Sequence, residues 1–136
     1  IATAAMAELN YRAALGFAKA GHIQLSDLNQ AFFASLPPVG SSRADAEQTR
    51  LVGAEQHVRI NRSQAAFKAI IQSMLLSGDQ YLARVRHHIS RDGEMSEQFD
   101  RHTGFMRGAN NLTWSYASLI TAADYRRQLI EWLERN

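Results

Sequence analysis

Between Phe67 and Ile89 the apolar side chains Phe67, Ile70, Ile71, Met74, Leu75, Leu82, Val85 and Ile89 recur at helical spacing and leave the opposite face polar. That period fits a helix and excludes a strand, whose faces alternate at every second residue. It predicts the longest helix of the chain, capped by Ser63 and running to His88, with Gly78 weakening its middle by about 1 kcal/mol relative to alanine. Ala2 to Ala20 reads as another helix, with Met6, Leu9, Ala13 and Phe17 at intervals of three and four and Gly21 as the stop. A shorter helix is expected from Ser26, as N-cap, to Leu36, with Leu28, Phe32, Phe33 and Leu36 on its apolar side and Pro37-Pro38 ending it. A last helix, capped by Asn111, carries Leu112, Tyr116, Leu119, Ile120 and Ala123 and continues through Ile130, Trp132 and Leu133 to the C-terminus. Residues 39–62 have no sustained period, and Leu51-Val52 is suited to pair with Val58-Arg59-Ile60 as short extended pieces. No stretch alternates with period two for more than a few residues, so the fold class is all-α.

The stretch from Gly93 to Trp114 separates the two longest helical tracts. Gly93, Gly104, Gly108 and the Asn110-Asn111 pair interrupt any period, so turns rather than ladders are expected to shape it. Loops of this length inside a compact chain are usually functional. It carries a carboxylate at Glu97 and delivers the chain into a helix with Trp114 just inside it, so a carboxylate and an aromatic face can converge on one concave site. Glu97 alone reads as an exposed loop carboxylate. Helix N-terminal N–H groups would favour its charged form, whereas repulsion from Glu94 and Asp100 would raise its pKa. Trp114, Tyr116 and Trp132 all sit at spacings that suit core residues, and Tyr116 and Trp132 are taken as structural.

Met95-Ser96-Glu97-Gln98-Phe99-Asp100, Thr103-Gly104 and Leu112-Thr113-Trp114-Ser115-Tyr116-Ala117 together resemble the C-terminal signature of the glucoamylases, inverting exo-α-glucosidases built on a six-hairpin (α/α) barrel. The resemblance implies that Glu97 is the general base and that Trp114 lines the pocket for the terminal glucose. Ile1 to Glu8 is similar to the helix that follows an Asn-Pro-Trp segment in that family. The chain departs from the pattern at Gly108-Ala109-Asn110-Asn111, where many relatives read Ser-Ala-Arg-Asp or Gly-Ala-Arg-Asp. Where a relative carries Ser at position 108, its hydroxyl can reach the base, and Gly108 cannot supply that bond. The resemblance further implies a sector of an (α/α)6 toroid, about the last third of the catalytic domain, with the first and last helices inner, the middle ones outer, and residues 39–62 an outer excursion.

An inverting glycosidase needs a second carboxyl about 6.5–9.5 Å from the base to protonate the leaving oxygen. Glu94 is too near Glu97 in the chain to reach the opposite face of a sugar, Asp27 and Glu47 belong to the outer side, and Glu8 faces a helix bundle. The acid is therefore expected outside these residues, with the remainder of the catalytic domain as the obligatory partner and an α-glucan as substrate. Trehalose or dextran as substrate, or a non-catalytic barrel kept for binding or regulation, are the alternative readings.

Other classes are disfavoured. The net charge of +2 comes from scattered Lys and Arg without aromatic interleaving, which does not suit nucleic acid. With no cysteine there is no thiolate metal site, Cys nucleophile or disulfide framework. His87, His88 and His102 lack the partners of a zinc site, no calcium loop pattern occurs, and no cofactor is implied. No run of 18 apolar residues crosses a bilayer. Asn61-Arg62-Ser63 and Asn111-Leu112-Thr113 fit the glycosylation pattern, with Asn111 the poorer acceptor because it lies against the site, and they favour a secreted protein.

Overall fold

The computed structural model describes residues 1–40, 46, 50 and 57–136. Helix α1 spans Ala2–Ala20 and ends where Gly21, at φ 74°, donates its N–H to the Phe17 carbonyl, as expected of a left-handed C-cap. Its buried face is Ala4, Ala7, Tyr11, Ala14, Leu15 and Ala18, whereas Met6 and Leu9 of the predicted stripe are exposed. The alanines explain the difference, because small residues let two long helices approach α1 closely. These are α3, Ala65–His88, and α4, Thr113–Arg135.

The α1–α3 crossing is close at Gly78. A Cβ there would lie 2.3 Å from the Tyr11 ring, so the glycine that costs helix propensity is what admits the ring. The Tyr11 hydroxyl donates to Asp79 Oδ1 at 2.7 Å, and Arg126 donates to the same carboxylate through Nε at 2.7 Å and Nη2 at 2.9 Å. One carboxylate thus ties α1, α3 and α4 together. Burial, then the adjacent Asp79, hold the Tyr11 phenol protonated well above its ordinary range.

Two further elements close one end of the bundle. Strand β1, His22–Gln24, pairs antiparallel with β2, Arg59–Asn61, in the register His22 to Asn61, Ile23 to Ile60 and Gln24 to Arg59. Ile60 is thus extended as expected, but its partner is Ile23, and both are fully buried. Leu51 and Val52, its expected partners, lie outside the described residues. Helix α2 covers only Gln30–Ala34, because the Asn29 side chain accepts the Ser26 N–H and donates to the Gln24 carbonyl, making a turn where a helical start was expected. Phe33 and Leu36 are buried, while Leu28 is 98% exposed.

Neither predicted cap on the long helices holds. Gln64 occupies the N-cap position of α3, and its Oε1 accepts the Asn61 N–H at 2.7 Å, so Ser63 lies one residue outside. Leu112 precedes α4 without a side-chain cap. Along α4 the buried residues are Ser115, Ala122 and Leu129, and the expected Ile120 and Ala123 face out. The main core gathers Tyr11, Ile23, Phe33, Ile60, Phe67, Ile70, Ile71, Met74 and Leu129, with Trp132 edge-on to Phe67. A smaller cluster of Ala4, Val85 and Met95, with Ile89, Tyr116 and Leu119 against it, lies where α1 begins and α3 ends.

Candidate active site

Met95 fixes the Gly93 to Trp114 stretch to the body of the protein by burying its side chain in that smaller cluster. Its backbone is held as well. The Met95 N–H donates to the Tyr116 oxygen at 2.9 Å, and its carbonyl accepts the Leu112 N–H at 3.1 Å. The Ser96 carbonyl accepts the Ser115 hydroxyl at 2.9 Å, and the Ser96 hydroxyl donates to Asn110 Oδ1 at 3.2 Å. Glu97 donates its N–H to the Ala109 carbonyl at 3.0 Å, and its own carbonyl accepts from the Ile1 nitrogen at 3.2 Å. Residues 95–97 are therefore stitched to the turn before α4, to its first turn, and to the start of α1.

Beyond Glu97 the chain forms a hairpin, which the glycine spacing did not anticipate. Strands β3, Gln98–Phe99, and β4, Met106–Arg107, pair antiparallel with Gln98 opposite Arg107 and Phe99 opposite Met106. Asp100 organises its turn: Oδ1 accepts the His102 and Thr103 N–H groups, each at 2.9 Å, and Oδ2 faces Arg107 at 3.4 Å. The N–H groups of Thr103 and His102 hold the Asp100 carboxyl below the usual range, so this charge is engaged within its own turn. From the end of α3, His88 Nδ1 lies 3.1 Å from the Gly104 carbonyl and the ring stacks on Phe99 at 4.1 Å. A carbonyl oxygen only accepts, so Nδ1 carries the proton.

The Glu97 side chain is exposed and runs over Gly108, whose φ is 83°. A Cβ at 108 would come within 2.6 Å of Glu97 Oε2 and 2.8 Å of its Cβ. Glycine is what lets the carboxylate lie against this piece of backbone. Trp114, the second residue of α4, is 74% exposed, while the next residue, Ser115, is buried. The indole is therefore not core of this chain, unlike Trp132. Asn111 is not a helix cap: it adopts φ 51°, accepts the Tyr116 hydroxyl proton at 2.8 Å and approaches Glu94 Oε1 at 3.5 Å. Asn61 sits in β2, where its Oδ1 accepts from Arg59 Nε at 3.3 Å.

An exposed carboxylate can activate water, and an exposed indole can cover the face of a sugar ring. The residues that sequence reasoning missed are Ser115 and His88, together with the polar role of Tyr116. Helical spacing signals which way Tyr116 points but not that its hydroxyl meets Met95. Among the described residues no group of three His, Cys, Asp or Glu side chains could hold a metal ion, and no helix is long and apolar enough to cross a membrane.

The family model for "Glycosyl hydrolases family 15" matches residues 1–124. The chain is 36% identical over 129 residues to the glucoamylase of Blastobotrys adeninivorans, covering 95% of this chain and 19% of that protein. It is 38% identical over 85 residues to the intracellular sporulation-specific glucoamylase of Saccharomyces cerevisiae, covering 62% of this chain and 16% of that protein. Among solved structures, the family 15 glucoamylase of Hypocrea jecorina superposes with a TM-score of 0.75 at 31% identity, over 94% of this chain and 19% of that one. The Hormoconis resinae glucoamylase also gives 0.75, at 27% identity over 93% and 19%. The chain thus spans about a fifth of the length of such relatives. Its helices are part of an (α/α)6 barrel fold, and the chain belongs to glycosyl hydrolase family 15.

Proposed function

We propose that residues 1–136 form the C-terminal portion of a catalytic (α/α) barrel and bring to it the general base, Glu97, and a wall of the sugar pocket, Trp114. The complete protein would be an exo-acting glucosidase releasing β-glucose from the non-reducing ends of α-1,4 and α-1,6 glucans such as starch or maltodextrin. The observation that carries this reading is the joint exposure of Glu97 and Trp114 on segments fastened directly to each other.

In this mechanism the carboxylate takes a proton from water as the water attacks the anomeric carbon from the face opposite the departing oxygen. A second carboxyl protonates that oxygen. Among the described residues Glu94 is too close in sequence and Asp79 is engaged with Tyr11 and Arg126, and this reading takes the acid from the remainder of the domain. Secretion, with glycosylation at Asn61 or Asn111, belongs to the same reading. One relative is intracellular. Of the two, Asn61 is the better acceptor, because Asn111 commits both its Oδ1 and its Nδ2 within the site, whereas Asn61 only accepts from the exposed Arg59 at its Oδ1.

Two measurements on the complete protein test the proposal. Proton NMR in the first minutes of hydrolysis should show β-glucose leading, and a leading α signal would exclude Glu97 as the base. Glu97→Gln should lower kcat by 10²–10⁴, about 3–5 kcal/mol, with little change in binding. A variant with near-normal kcat would remove Glu97 from the mechanism.

A further inference from the structure

Ser115 and Tyr116 follow Trp114 directly in the first turn of α4, and each reaches back to the segment that ends in Glu97. The Ser115 hydroxyl donates to the Ser96 carbonyl, and the Met95 N–H donates to the Tyr116 oxygen, both at 2.9 Å. The Tyr116 proton goes to Asn111 Oδ1 at 2.8 Å, so the phenol accepts on one side and donates on the other. Ser115 is only 1% exposed, and the Leu112 N–H on the Met95 carbonyl closes the same seam. Two consecutive residues before Glu97 thus take their place from two consecutive side chains after Trp114.

We propose that Ser115 and Tyr116 are positioning residues that set the placement of the Glu97 carboxylate relative to Trp114 and act on the reaction only through that carboxylate. The proposal rests on the reading of Glu97 as the base. Both hydroxyls are engaged with protein groups, so neither is needed to touch the sugar. Their effect comes from geometry, since a displacement of about 1 Å at a reacting group can cost about 100-fold in rate. The helical period carries Trp114 outward and Ser115 inward, which is what allows one turn to present the pocket wall and hold the base at once.

Tyr116→Phe deletes one oxygen and keeps the ring in the Val85 and Met95 cluster, so the fold should persist. In the complete enzyme acting on maltose, kcat should fall by about 10- to 100-fold while KM changes by less than about threefold. Ser115→Ala should act in the same direction. Hydrogen exchange at the Met95 amide should quicken in Tyr116→Phe, reporting the lost bond independently of activity. In a Glu97→Gln background, Tyr116→Phe should cause no further loss, because groups acting as one unit are non-additive. Losses that multiply in the double variant, or an unchanged kcat in Tyr116→Phe beside an inactive Glu97→Gln, would overturn the positioning role and leave the base in place. A nearly active Glu97→Gln would overturn the base and this proposal with it.

Discussion

At Gly78 two effects of one methyl group oppose each other. Alanine would raise helix propensity by about 1 kcal/mol. The new Cβ, however, would meet the Tyr11 ring at 2.3 to 2.9 Å, and that ring is pinned by Asp79 and fully buried. Overpacking of a closed site costs about 1–3 kcal/mol, so Gly78→Ala should lower the denaturation midpoint of the complete protein, and a raised midpoint would mean that the α1–α3 contact yields. Trp114 poses the opposite case, because its exposed ring contributes little to this chain's own core. Trp114→Phe should therefore melt normally and bind a maltodextrin-type inhibitor more weakly by about 0.5–1.5 kcal/mol, the scale of a lost ring contact. Unchanged inhibitor affinity at normal stability would take Trp114 out of the pocket.

Among elements, the β3–β4 hairpin is the piece whose order depends on a titrating group. With only two ladder pairs, it relies on the Asp100 carboxylate to hold its turn and on His88 to stack against Phe99. The Asp100 carboxyl is depressed in the folded state by the Thr103 and His102 N–H groups, so its contribution is present above the ordinary carboxylate range and is lost as pH falls through the lowered value. Protection of the hairpin amides should accordingly be flat from neutrality down to about pH 4 and decline only below. Asp100→Ala should remove that protection at neutral pH, while Asp100→Asn, which keeps an oxygen acceptor, should retain part of it. Hydrogen exchange followed by NMR would decide, and equal protection in Asp100→Ala would assign the turn to Gly104 and His88 alone.

At the scale of the whole molecule, α1 packs on both long helices, and the bundle still leaves apolar groups in solvent. Leu9, Leu28, Phe105 and Ile120 are exposed, and an open groove between α3 and α4 is lined by Leu82, Val85, Ile89 and Leu119. Such surface suits contact with the remainder of a larger barrel. A polypeptide of these 136 residues alone should self-associate in sedimentation and should release no glucose from maltodextrin, because exposed apolar patches drive association and the proposed mechanism draws its acid from the remainder of the domain. A monodisperse, active preparation would sink the sector proposal.

Local order is what this sequence determined by itself. Helical periods gave the three long helices, and Gly21 marked the end of α1 to the residue, because these depend on neighbours within a turn or two. The Glu97 and Trp114 motifs were legible for the same reason, as short runs of fixed spacing. Tertiary structure decided what depends on distant chain segments. Ile60 found Ile23, the stripe on α1 shifted from Met6 and Leu9 to the alanines, and Gly78 turned from a weakness in a helix into the seat of Tyr11. The cap at Asn111 gave way because its Oδ1 accepts the Tyr116 hydroxyl instead, and at the start of α3 it is Gln64 rather than Ser63 that takes the N-cap position. The hydrogen bonds that join Ser115 to Ser96 and Met95 to Tyr116 link groups about 20 positions apart, and no local period encodes such a meeting.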